Sequence, residues 1–174
     1  ADWQGQWIGL DRTTPGDSET QWSRLAARYL RKEFALSKEV KRATVHIAGM
    51  GLYELFINGQ RIGDQVLAPA PTDYRKTILY NTYDETPQLR KENAIGVTLG
   101  NGRFYTMRQN YKPYKIPTFG YPKLRLNLIV EYMDGSKETI ATNTSWKLTT
   151  EGAIRSNNEY DGEEYDARKE LGNW

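Results

Sequence analysis

The chain has 174 residues, 38% hydrophobic and 26% charged, with a formal net charge of +2. That is enough chain for one domain with a substantial core, and the near-neutral balance argues against nucleic acid or a membrane surface as partner. The absence of cysteine excludes disulfides, thiolate metal sites and cysteine nucleophiles, and no apolar run is long enough to span a bilayer.

Residues 1–26 are polar, broken by Gly5, Gly9, Pro15 and Gly16, with Trp3, Trp7 and Ile8 standing out. They read as an N-terminal extension that adds an edge strand or packs its tryptophans on the domain proper, residues 27–174. No basic and apolar leader pattern opens the chain, and Gly172-Asn173-Trp174 closes it without a polar tail. Both ends read as cuts through a longer protein.

The first strand candidate is 27–36, with Leu30 and Phe34 apolar among charges, followed by a polar turn at 38–41. Ala43, Val45 and Ile47 alternate with Thr44 and His46, predicting a strand over 43–48. After Gly49-Met50-Gly51, Tyr53, Leu55 and Ile57 share one face of a strand over 52–57. Asn58-Gly59 predicts a type I′ turn, with 60–63 returning. A Pro-rich loop precedes a strand over 77–83, a single helical turn over 87–89 and an almost wholly apolar central strand over 94–99.

Residues 103–122 form a long aromatic loop. It carries Arg103, Tyr105, Arg108, Gln109, Asn110, Tyr111 and Lys112. A loop of this length inside a domain is functional or disordered, and its aromatic content argues for function. Tyrosine rings stack on pyranose faces while amides and guanidinium groups reach hydroxyls, so the loop suits a sugar; packing on a neighbouring domain is the plainer reading. Leu124, Leu126, Leu128, Val130 and Tyr132 then alternate through the clearest strand, Asp134-Gly135 turns, 137–141 returns, and 145–150 with Trp146 adds a last short strand. About eight short strands with turn residues between them predict an all-β fold, an antiparallel β-sandwich of jelly-roll type.

Residues 156–168 hold five carboxylates, Asn157-Asn158 and two tyrosines. Asp161, Glu163, Glu164 and Asp166 could supply an acid and a base, but neighbours in a strand alternate faces, and glycoside hydrolysis needs two carboxyls set across a sugar. Asn157, Glu159, Asp161 and Gly162 occupy the opening places of an EF-hand-like loop whose twelfth place is Arg168 rather than glutamate, so an EF-hand is excluded. An irregular calcium cage and a plain Asx turn at Asp161-Gly162 both remain open. His46 is the lone histidine, on the face opposite Val45 and Ile47; it reads as structural or solvent-facing, and no nucleophile elbow accompanies it.

Several segments occur together in a fixed order: WQGQWIG at 3–9, RYLRKEF at 28–34, GLYELFINGQRIGD at 51–64, TDY at 72–74, YNTYDET at 80–86, ENAIGV at 92–97, LGNG at 99–102 and YDGEEYDAR at 160–168. The set resembles the amino-terminal accessory domain of bacterial α-L-rhamnosidases. The resemblance implies a β-sandwich ahead of a separate (α/α) barrel that carries the catalytic acid and base of an inverting glycoside hydrolase. This chain would then be non-catalytic alone. Its partners would be an L-rhamnose-containing plant glycan and that barrel, with bracing of the barrel as the alternative role. Together with the chemistry of the aromatic loop, which offers Tyr105, Arg108 and Tyr111, the resemblance gives Gln109, Asn110, Asn157 and Asn158 as candidate carbohydrate contacts. Calcium is implied on Asn110, Asn157 and Asn158, although Gln109 stands where relatives have an acid. Glu163, Tyr165, Asp166 and Arg168 would be structural anchors, with Arg168 paired to a carboxylate of its own segment or of a nearby strand. A periplasmic or extracellular compartment is favoured over the cytoplasm.

Overall fold

The computed structural model describes residues 2–12, 25–106 and 118–172. The strands in chain order are β1 (Ile8–Gly9), β2 (Arg28–Ala35), β3 (Val40–Met50), β4 (Leu52–Ile57), β5 (Gln60–Ile62) and β6 (Tyr80–Asp84). They continue as β7 (Glu92–Gly100), β8 (Lys123–Tyr132), β9 (Lys137–Ala141), β10 (Lys147–Thr149), β11 (Ile154–Asn158) and β12 (Gly162–Tyr165). Two 3-10 turns, Thr86–Gln88 and Ala167–Lys169, are the helical elements among the described residues. One sheet runs β1-β8-β3-β6, with β9 also on β8. The other runs β10-β2-β7-β4-β5, and β11-β12 is a separate ribbon. Every pairing is antiparallel, so the all-β sandwich expectation holds.

The alternation that marks the strands also builds the core. Ala43, Val45 and Ile47 of β3 and Leu124, Leu126, Leu128 and Val130 of β8 are fully buried on the inner face of the first sheet. Tyr53, Leu55 and Ile57 of β4 meet Ile95, Val97 and Leu99 of β7 on the second. Each fully buried leucine or isoleucine contributes about 1.5–3 kcal/mol relative to exposure. The β4–β5 turn has Asn58 at φ 51 and Gly59 at φ 81, the two positive angles a type I′ hairpin requires.

Boundaries shift where local chemistry competes with alternation. β3 begins at Val40 because a register irregularity between Val40 and Arg42 sets two exposed basic residues side by side. β6 begins at Tyr80, since Lys76 and Thr77 donate their N–H groups back to the Asp73 carbonyl and close a turn.

Residues 2–12 lie along the first sheet. Gly5 donates its N–H to Asn127 Oδ1 at 2.8 Å, and Gln6 donates to the Thr142 carbonyl at 2.7 Å. Arg28, fully buried at the start of β2, donates to the Ala26, Leu10 and Arg12 carbonyls at 2.6, 3.3 and 2.7 Å. Its guanidinium also lies 5.9 Å from the Tyr121 ring centroid. Burial lowers its pKa to about 10, which leaves it cationic at neutral pH. No helix among the described residues is long and apolar enough to cross a membrane.

Candidate functional site

The outer face of the second sheet carries a cavity of about 620 Å³. Its floor is Thr98 and Gly100 of β7 with Glu54 of β4, the positions that point away from the core in the alternation of those strands. One wall is the β11–β12 ribbon, which presents Asn157, Asn158, Glu159 and Glu163. The opposite wall comes from residues 66–74, with Val66, Leu67, Pro71 and Tyr74. Arg103 closes one end and pairs with Glu159 at 3.1 Å; Arg61 lies beside Glu54 at 3.3 Å.

The ribbon stands where it does because its base is tied to β2. The Ile154 carbonyl accepts from Ala27 N–H, while Ile154 donates its own N–H to the Tyr29 hydroxyl. Its tip is tied to the end of β7. Asn157 Oδ1 accepts the Asn101 N–H at 2.7 Å, Asn157 Nδ2 reaches the Leu25 carbonyl at 3.3 Å, and the Asn101 amide returns to the Asn157 carbonyl at 2.5 Å. Glycine at 100 is what admits this clamp, since a Cβ there would sit 2.8 Å from Asn157 Oδ1. Asn158 Oδ1 accepts the N–H groups of Tyr160 and Asp161, both at 2.8 Å, an Asx turn that closes the ribbon.

The groove therefore sets an apolar wall against a polar one. Val66 is 79% and Leu67 69% exposed, and Leu67 holds φ 60, a left-handed conformation that costs a branched side chain about 1–3 kcal/mol. Tyr74 packs edge-on against Phe104 and Phe119, at 5.3 and 5.4 Å between centroids, which fixes its ring in the wall. Burial raises its phenol pKa, so the hydroxyl is a neutral donor at ordinary pH. Carboxylates, amides and guanidinium groups facing an aromatic and aliphatic wall can hold a small polyol that has one apolar side.

The structure sorts the residues expected from the sequence. Asn157 and Asn158 line the groove, but their side-chain oxygens already serve backbone N–H groups. Tyr105 is 5% exposed and stacked on Tyr121 at 5.7 Å and 27°. Arg108, Gln109, Asn110 and Tyr111 lie outside the described residues. Arg168 pairs with Asp166 of its own segment through two 2.8 Å contacts, which hold the carboxyl pKa down at about 2. Thr98, Glu54, Arg61, Tyr74 and the 66–71 wall escaped sequence reasoning. Glu54 and Thr98 look like ordinary solvent-facing strand residues until the pairing of β4 with β7 sets them side by side.

Asn157 and Asn158 spend their oxygens on amides, and among the described residues no group of three His, Asp or Glu side chains could hold a metal ion.

The α-L-rhamnosidase N-terminal domain family matches residues 38–174. An α-L-rhamnosidase of Formosa agariphila is 44% identical over 154 residues, covering 86% of this chain and 16% of that protein. The structure of the α-L-rhamnosidase from Dictyoglumus thermophilum superposes with a TM-score of 0.85 at 43% identity, over 99% of this chain and 19% of that one. The Streptomyces avermitilis α-L-rhamnosidase complexed with L-rhamnose superposes at 0.76 and 39% identity, over 86% of this chain and 14% of that one. This chain thus spans less than a fifth of the length of these relatives. Matched over most of its length, and sharing the fold of these enzymes' domain, the chain belongs to the α-L-rhamnosidase N-terminal domain family.

Proposed function

We propose that this domain is a non-catalytic accessory module of an α-L-rhamnosidase and contributes to holding a rhamnose-containing glycan in the groove between the β11–β12 ribbon and residues 66–74. The groove carries the reading. A 6-deoxy sugar has a methyl group and ring hydrogens on one side and hydroxyls on others, matching Val66, Leu67 and Tyr74 opposite Glu54, Asn158 and Glu163. Carboxylates accept paired hydroxyl hydrogens, and hydrogen bonds to charged groups contribute about 1.5–3 kcal/mol each. The catalytic acid and base belong to the barrel of the parent chain, where glycan delivered by this domain is cleaved. The relative crystallised with L-rhamnose supports the choice of sugar.

Calorimetry of the domain with L-rhamnose, with calcium and with chelator, tests the reading. Saturable heat in wild type, lost in Tyr74→Ala and weakened in Glu163→Gln, supports it; equal binding with and without chelator follows from the engaged oxygens of Asn157 and Asn158. Bracing of the barrel is the second reading, favoured by the exposure of Val66 and Leu67. It predicts no heat under either condition. Turnover of an aryl rhamnoside by the domain alone would overturn both.

A further inference from the structure

The first sheet bears a second cavity on its outer face, about 320 Å³, on the side of the sandwich opposite the groove. Ile129 of β8 is its apolar floor, and the Thr44, His46 and Thr82 side chains surround it. Thr44 is the cross-strand partner of Ile129, and His46 that of Thr82. His46 Nδ1 bonds Thr82 Oγ1 at 2.9 Å, which leaves the other ring nitrogen for a ligand hydroxyl. The remaining lining is charged: Arg42, Glu131 and Lys137.

These charges are not equivalent. Glu131 is held by Lys41 at 2.9 Å on one oxygen and by Lys137 at 3.5 Å on the other. Both lysines pull its pKa down, so it is a committed anion. Asp84, on the neighbouring β6, accepts the Thr86 N–H and hydroxyl on one oxygen, Oδ1, at 3.1 and 2.7 Å, and its charge also faces Arg42. Arg42 makes no hydrogen bond or ion pair among the described residues, although it stands opposite Glu131 in the β3–β8 register and its charge helps lower the Asp84 pKa, so its guanidinium fork keeps its donors for a ligand. Beside it, Trp3 and Tyr80 form an edge-to-face pair at 5.6 Å, and Trp3 stands 6.4 Å from His46. Tyr80 is 46% exposed, so its ring is within reach of a ligand that extends beyond the cavity.

We propose that this face is a second glycan site, selective for a sugar residue bearing one acidic group. The ring lies on Ile129, hydroxyls meet Thr44 and His46, the carboxylate or sulfate oxygens take the Arg42 fork, and a neighbouring sugar lies against Tyr80. Arginine suits this because its planar fork matches two anionic oxygens at once. A neutral sugar would leave the guanidinium unused. The site is independent of the groove, and its failure would leave the groove reading untouched.

The test is an amide NMR titration of the 174-residue chain with methyl glucuronide, a sulfated glucose, methyl glucoside and inorganic sulfate. Both acidic sugars should shift the amides of Thr44, His46, Thr82 and Ile129 while those of Asn158 and Glu163 stay still. Methyl glucoside should need about tenfold more ligand, and Arg42→Gln should weaken the acidic sugars by about tenfold. The unchanged spectrum of the variant elsewhere reports its folding, and Thr44→Val, also weakened, provides a second probe. A response to glucuronide but not to the sulfated sugar, or the reverse, still supports the proposal and names the acid. An equal response to the neutral glycoside, an equal response to sulfate alone, indifference to Arg42→Gln, or no shift at these amides overturns it.

Discussion

Replacing Asn157 with alanine removes the clamp between the ribbon and the end of β7. Asn101 is 2% exposed, so its N–H loses its 2.7 Å acceptor without gaining water. An orphaned buried donor costs about 1–3 kcal/mol, and loss of the longer bond to Leu25 adds about 0.5–1 kcal/mol. For a domain of this size a loss of about 2–3 kcal/mol lowers Tm by about 5–10 °C. The partner substitution is Gly100→Ala, whose Cβ would meet Asn157 Oδ1 at 2.8 Å and push the amide off its donor. Once residue 157 is alanine, the next atom that Cβ meets is the Leu52 carbonyl oxygen at 3.7 Å, an ordinary contact. Gly100→Ala should therefore be costly in wild type and nearly neutral beside Asn157→Ala, with a coupling of about 1–2 kcal/mol. Urea unfolding followed by tryptophan fluorescence on the four proteins measures this. Strict additivity, or a wild-type midpoint in Asn157→Ala, would refute the clamp and return Asn157 to the ligand.

Three further outcomes follow from buried groups. Glu85 is 4% exposed with Oε2 unpartnered, and burial, with Asp84 adding, raises its pKa to about 7. The folded state holds that proton more tightly than the unfolded one. Its stabilising effect is thus full below the usual carboxylate pKa and lost as pH rises from about 4.5 through about 7. Glu85→Gln should remove that slope and gain about 1–2 kcal/mol on wild type at pH 8, read from urea midpoints across pH; parallel pH profiles would contradict it. Arg28→Ala should cost about 2–4 kcal/mol, because three carbonyls lose a charged donor, and should raise amide exchange at Gly5 and Gln6; exchange unchanged there would show that Arg28 does not hold the N-terminal segment. Leu126→Ala, at a fully buried position between two sheets, should cost about 3–5 kcal/mol by thermal unfolding, and a loss below about 1 kcal/mol would contradict the assigned core.

Much of the sandwich was legible because one face of each main strand is dry. The alternation of Leu124 through Tyr132 and of Tyr53 through Ile57 reports burial directly, and Asn58-Gly59 reports its own backbone. β11 and β12 were harder: their residues are half-buried or exposed, so no alternation marks them, and carboxylates that read as a ligand cluster turn out to flank an Asx turn. The groove was only half legible. Asn157 and Asn158 could be picked out as a dense polar pair, but the floor depends on β7 lying between β2 and β4, a pairing local pattern does not encode. Tyr105 marks a limit of sequence reading, because an aromatic in a loop looks the same whether it serves a ligand or packs on a ring such as Tyr121.

The central claim is that the groove on the second sheet holds rhamnose, and diffraction from crystals of this domain soaked in L-rhamnose tests it most directly. The account predicts a sugar between Tyr74 and Glu163, with its methyl group toward Val66 and Leu67. A sugar bound elsewhere, or a groove left empty at saturating rhamnose, would contradict it.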